Sequence, residues 1–109
     1  MNKKAIFIYN PFSGNHRIPR NLDMIIGEFQ DKGVVLQPYR MLNTQSELLI
    51  DELINGNYSY VVASGGDGTL NYVANLILAN NLRLPMGILP SGTWHKEQGT
   101  GRQDYSEVL

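Results

Sequence analysis

The feature that most constrains this chain is a short apolar run, Tyr60-Val61-Val62-Ala63, followed at once by Ser64-Gly65-Gly66-Asp67-Gly68-Thr69-Leu70-Asn71. An amphipathic segment, Leu70 to Ala79, comes next. Strand, glycine loop and helix in that order build a phosphate site. Glycine lets the backbone take positive φ and lets an anion approach with no Cβ in the way. The helix that follows presents unpaired N–H groups and the positive end of its dipole. The plainer alternative is a tight turn with Thr69 as the helix N-cap and Asp67 bracing the loop through its side chain. Such a turn needs one glycine, and this one has three around an acid.

The apolar pattern repeats along the chain. Ala5-Ile6-Phe7-Ile8-Tyr9 is a continuous β-branched and aromatic run, which suits a strand buried on both faces. It ends in the dense turn signal Asn10-Pro11-Phe12-Ser13-Gly14-Asn15. Pro19 suits the first turn of a helix, and Leu22, Ile25, Ile26 and Phe29 continue it at helical spacing to about residue 32, with Gly33 as its C′ residue. Val34-Val35-Leu36 opens a second strand running to Met41, which Pro38 marks as short, irregular or at an edge. Asn43 or Thr44 caps the next helix, Thr44 with Glu47 having capping-box spacing, and Asn55-Gly56-Asn57 stops it. A third strand is predicted over Tyr58 to Ala63, and a third helix ends near Asn80-Asn81. Met86-Gly87-Ile88-Leu89 reads as a fourth strand, closed by Pro90-Ser91-Gly92-Thr93.

This β-α-β-α-β-α-β alternation predicts an α/β, three-layer, Rossmann-like domain: a mostly parallel sheet, right-handed crossovers and helices on both faces. Every glycine-bearing turn of interest then follows the C-terminal end of a strand: Asn10–Gly14, Gly65–Thr69 and Pro90–Thr93. In an open α/β sheet those turns share one edge, where ligands bind.

Composition narrows the ligand. The 109 residues carry a net charge of −1, so no broad basic field favours nucleic acid or an anionic membrane. Anion binding has to come from local geometry. Cysteine is absent, which excludes disulfides, thiolate catalysis and cysteine-based zinc sites. The N-terminal apolar run is too short for a signal peptide, and no run approaches the roughly 20 apolar residues of a membrane span. A cytoplasmic location is expected. From Trp94 onward the chain is polar and aperiodic and reads as a loose tail.

Gly65, Gly66, Gly68 and Thr69 are expected to hold phosphate through backbone N–H groups, with Gly66 needing either positive φ or close backbone approach by the ligand. Asp67 would repel phosphate, so its place in the loop suits an Mg²⁺ contact, a proton acceptor for an attacking hydroxyl, or a brace. Asn71 lies near the helix start and can donate to a ligand oxygen. Asn10, Pro11, Ser13 and Gly14 can wrap a second part of a nucleotide as a second wall or form an ordinary βα turn, and the Pro90–Thr93 turn, with Thr93 closing the cleft, has the same two readings. His16 and His95 are isolated, with no second ligand at metal spacing, and no metal-ligating set is assigned. Arg17, Arg20 and Arg40 can contact phosphate but read equally as solvated charges. The loop lacks the Gly-Lys-Ser/Thr ending of a Walker sequence and the spacing of a dinucleotide fingerprint.

Together, Asn10-Pro11-Phe12-Ser13-Gly14, Gly65-Gly66-Asp67-Gly68-Thr69-Leu70-Asn71 and Leu89-Pro90-Ser91-Gly92-Thr93 resemble the N-terminal nucleotide-binding domain of the diacylglycerol kinase catalytic family, which includes bacterial lipid kinases, sphingosine kinases and ceramide kinases. The resemblance spans residues 1–93. It implies Mg²⁺-assisted transfer of the γ-phosphoryl of ATP to a lipid hydroxyl such as that of diacylglycerol, with Asp67 acting on metal or acceptor. It also implies ATP and a lipid acceptor as partners, no nucleic acid, transient contact with a membrane surface and possible self-association. Three features depart from the family pattern. Tyr72 stands where a glutamate is usual, Trp94-His95-Lys96-Glu97 replaces the usual continuation of the last turn, and the chain stops at Leu109 without the family's second, mostly β domain. On this reading residues 1–93 are the ATP-binding domain, residues 94–109 are a tail foreign to the family, and the 109-residue chain is a truncated fragment, inactive by itself. Two other classes stay open: a kinase acting on NAD, which shares the Gly-Gly-Asp-Gly-Thr element, and a non-catalytic nucleotide-binding or interaction module.

Overall fold

The computed structural model describes residues 3–41 and 47–90. Its elements are β1 (Lys3–Tyr9), a 3₁₀ turn (Ser13–His16), α1 (Arg17–Asp31), β2 (Val34–Arg40), α2 (Glu47–Asn55), β3 (Tyr60–Ser64), α3 (Asp67–Ala79) and β4 (Met86–Ile88). The four strands form one parallel sheet in the order β2-β1-β3-β4. The α/β class and the parallel sheet follow the expectation from alternation.

Burial explains the layering. In β1 the side chains of Ala5, Phe7 and Tyr9 enter one core, with Ile18, Ile25 and Phe29 of α1 and Val62 of β3. Ile6 and Ile8 enter the other, with Leu49 and Leu53 of α2 and Val73, Leu76 and Ile77 of α3. The sheet is therefore the middle of three layers. The face a helix takes is fixed by the direction of its crossover. The chain moves one way from β1 to β2, then back past β1 to β3 and on to β4. With a single handedness of crossover, α1 must lie on one face and α2 and α3 on the other, as they do.

Local chemistry sets the ends. Gly33 follows α1 with φ of 81°, and Asn81 follows α3 with φ of 53°, both in the left-handed region that ends helices. Pro38 sits in β2 at the sheet edge, where its missing N–H breaks no ladder on the open side. Two boundaries differ from expectation. β3 begins at Tyr60 because Tyr58 turns into the α2-side core, where its hydroxyl donates to Glu52 and Lys4 Nζ lies 4.8 Å from its ring centroid. This burial and the Glu52 carboxylate push the Tyr58 hydroxyl pKa upward. The helix after the glycine loop begins at Asp67 rather than Leu70. The caps assigned to Asn43 and Thr44, the closing turn at 91–93 and the tail at 94–109 lie outside the described residues.

Phe29 is fully buried against β1 and β2. Phe29→Ala is expected to lower stability by about 3–5 kcal/mol. Leu78→Ala, at a side chain 73% exposed on α3, should leave the urea midpoint nearly unchanged.

Candidate functional site

All four strands run parallel, so Tyr9, Arg40, Ser64 and Ile88 end at one edge of the sheet. The order β2-β1-β3-β4 places a switch point between β1 and β3. The chain leaving β1 turns toward α1 on one face, and the chain leaving β3 turns toward α3 on the other. The crevice between two such diverging turns is where open α/β sheets bind ligands.

A backbone bond ties the two turns together. The N–H of Asn10 donates to the carbonyl of Ser64 at 3.1 Å, extending the β1–β3 pairing to the edge. Asn10 also shapes its own turn. Its Oδ1 accepts the N–H of Phe12 at 2.9 Å, and its carbonyl accepts the N–H of Ser13 at 3.3 Å. Pro11 is buried beneath. Gly14, Asn15 and His16 then all take left-handed backbone conformations, with φ of 60°, 56° and 63°. Three such residues in succession reverse the chain and deliver it into α1. Glycine takes this conformation freely, while Asn15 and His16 are of the types that tolerate it best.

The second turn is tighter than the sequence pattern suggests. Gly66 is the N-cap of α3, with φ of −79° and ψ of 179°, and no side chain caps the helix. Its backbone is extended, a conformation open to any residue. The expectation of positive φ at Gly66 is thus corrected: the unusual φ of 157° belongs to Gly65. A Cβ on Gly65 would lie 2.8 Å from Thr69 Cβ and 2.9 Å from Thr69 Oγ1. Thr69 is buried in the first turn of α3 and is not the N-cap; its side chain fills the space under Gly65. Around Gly66 and Gly68 the opposite holds: among the described residues, apart from the chain neighbours and the helix's own backbone, no atom lies within 4 Å of a Cβ placed on either. The turn is packed shut below at Gly65 and open above at Gly66 and Gly68.

Asp67 is the first residue of α3 and Asn71 lies one turn on; both are exposed. Residues four apart share a helix face, so these two polar groups line the same stripe beside the open glycines. Arg40 also ends at this edge, but β1 separates its strand from β3, about 10 Å at two strand spacings. Leu89 continues the β3 pairing by donating to the carbonyl of Ala63 at 2.9 Å, which carries Pro90 to the same edge. Thr93 lies outside the described residues.

Sequence reasoning did not single out Ser64. It is fully buried in register with Tyr9, and its Oγ has no hydrogen-bond partner among the described residues. The Tyr60 hydroxyl, on the same face of β3, is likewise buried and unpartnered, and desolvation raises its pKa. Alternation along Tyr60–Ser64 was the available signal. No group of three or more potential metal-ligating His, Cys, Asp or Glu residues occurs among the described residues.

The fold and edge define an α/β domain with a parallel sheet and an uncapped, glycine-opened helix start at its switch point. The diacylglycerol kinase catalytic domain model matches residues 4–97. Diacylglycerol kinases of Staphylococcus aureus strains MRSA252 and Newman are each 34% identical to the chain over 94 residues, covering 85% of it. The chain spans 30% of the length of these relatives. It belongs to the diacylglycerol kinase catalytic domain family.

The contrast between Gly65 and Gly68 yields a direct test. Gly65→Ala should cost about 1–3 kcal/mol in urea denaturation, because backbone or Thr69 must shift. Gly68→Ala, in the open first turn of a helix, should be neutral or stabilising by up to about 1 kcal/mol.

Proposed function

We propose that this domain binds ATP at the switch-point edge and serves a lipid kinase that transfers the γ-phosphoryl group to a lipid hydroxyl, diacylglycerol being the acceptor class. The observation carrying the reading is the uncapped N-terminus of α3 with open space over Gly66 and Gly68, in a chain of this family. The first-turn N–H groups of Asp67, Gly68 and Thr69 have no intrahelical partners, which makes them donors for phosphate oxygens. Gly65 contributes by holding the turn on Thr69. Asn10, Pro11, Ser13 and Gly14 form the facing wall. Asn71 donates to a ligand oxygen, and Thr93 closes the cleft from the last turn.

Phosphoryl transfer asks for alignment and charge neutralisation more than covalent help from the protein. The acceptor oxygen bonds to the γ-phosphorus as its bond to the bridging oxygen breaks. ADP departs and the acceptor proton goes to a base. Asp67, exposed on the helix stripe beside the glycines, is positioned for that proton or for a metal ion carried by the nucleotide. A single carboxylate suits Mg²⁺, which is commonly held by one or two carboxylates plus substrate phosphates and water. Bound there, the ion would offset phosphate charge. Among the described residues no helix is long and apolar enough to cross a membrane. A cytoplasmic domain that meets its lipid at a membrane surface fits this reading.

Two measurements test it. Gly66→Ala places a methyl group where phosphate would approach, and should weaken ATP binding in calorimetric titration more than about tenfold, or 1.4 kcal/mol. Unchanged affinity would return the loop to an ordinary turn. Asp67→Asn should leave the urea midpoint in place and reduce lipid phosphorylation by at least about 100-fold, the scale of a lost acid–base group. Retention of most of kcat would remove Asp67 from the chemistry.

A further inference from the structure

Two hydroxyls of β3, those of Tyr60 and Ser64, are buried with no hydrogen-bond partner among the described residues. Both lie on the α1-side face of the sheet, where Val62 between them enters the core with Phe7 and Tyr9. A buried polar group without a partner costs stability, and native proteins keep few of them. Alanine at position 64 would end the strand without that cost, so packing gives no reason for a hydroxyl there.

Position separates the two groups. Tyr60 opens β3, at the end of the sheet away from the glycine turn, and Ser64 closes it four residues on, about 13 Å along the strand. The Ser64 carbonyl accepts the Asn10 N–H at 3.1 Å, its Cα is in register with Tyr9, and Gly66, the N-cap of α3, is two residues away. The hydroxyl therefore sits at the floor of the crevice, on the side covered by the turn after β1. That cover is shaped by local bonds: Phe12 N–H to Asn10 Oδ1, and Ser13 N–H to the Asn10 carbonyl at 3.3 Å, beyond the usual range for such a bond. Asn15 and His16 hold left-handed backbone that L side chains rarely adopt, and strain of this kind collects at ligand clamps.

We propose that Ser64 is a nucleotide-binding residue whose hydroxyl donates to a phosphate oxygen when the turn after β1 lifts from it. The proposal rests on the ATP-binding reading and adds to it a donor on the side of the crevice facing the α3 N–H groups. A hydroxyl donating to an anionic oxygen forms a short, charge-assisted bond, stronger than a neutral one. Its water contacts are already lost beneath the turn, so the bond to phosphate costs it no further desolvation. Tyr60 shares the strand and the face but not the edge, which makes it the control.

Calorimetric titration of the chain with ATP and with inorganic tripolyphosphate, beside urea denaturation without either, tests the assignment. Ser64→Ala and Tyr60→Phe should each raise the urea midpoint, because each removes an unpaired buried hydroxyl. Only Ser64→Ala should weaken binding, by about tenfold and equally for the two probes, the loss expected for one charge-assisted bond. Wild-type affinity in Ser64→Ala would overturn the proposal, and a lowered midpoint beside it would give the reason, a buried water that already holds the hydroxyl. Weakening by Tyr60→Phe to the same degree would overturn it too, as would loss of ATP affinity with tripolyphosphate unaffected. A wild-type chain that takes up neither probe would sink the ATP-binding reading itself, whereas wild-type binding that Ser64→Ala leaves unchanged sinks the Ser64 assignment alone.

Discussion

β1 is paired along both edges and buried on both faces, and the position of every other element follows from that. Phe7 closes the core on the α1 side, while Ile6 and Ile8 close the one beneath α2 and α3. Each of these fully buried side chains is worth about 1.5–3 kcal/mol relative to exposure. Because β2 and β3 flank β1, the chain must reverse direction across it. The two turns that leave β1 and β3 are thereby forced onto opposite faces, opening a crevice at their shared edge. The bond from Asn10 N–H to the Ser64 carbonyl carries the pairing right up to that crevice.

At the crevice, packing and openness are divided between neighbouring glycines. Gly65 exists for the protein: a side chain there would collide with Thr69, which the first turn of α3 fixes in place. Gly66 and Gly68 meet no such demand, since among the described residues no side chain packs against a Cβ placed on either. A run of three glycines looks uniform in sequence, yet only the first is demanded by folding. The same division applies to the acid between them. Asp67 in the first turn of α3 is favourable for the helix dipole whatever its chemistry, and its exposure leaves it available to a ligand.

Periodicity and turn chemistry in the sequence by themselves determined the class, the parallel sheet and the Gly33 stop, because each depends on residues near one another in the chain; Pro38 marked β2 as short, irregular or at an edge, and only the sheet order decided for the edge. The Asn10–Gly14 and Gly65–Thr69 turns were legible for the same reason. The start of α3 at Asp67 was not, since three residues with weak helix preference are drawn into the helix by Thr69 packing beneath Gly65. Nor was the loss of Tyr58 from β3, which its burial against α2 decides. Only the tertiary structure could say which glycine serves the fold, that Ser64 is sealed beside Tyr9, and that Phe12 faces outward from a left-handed turn. Those properties depend on residues distant in sequence, or on backbone angles that a residue's neighbours impose, and no local pattern encodes them.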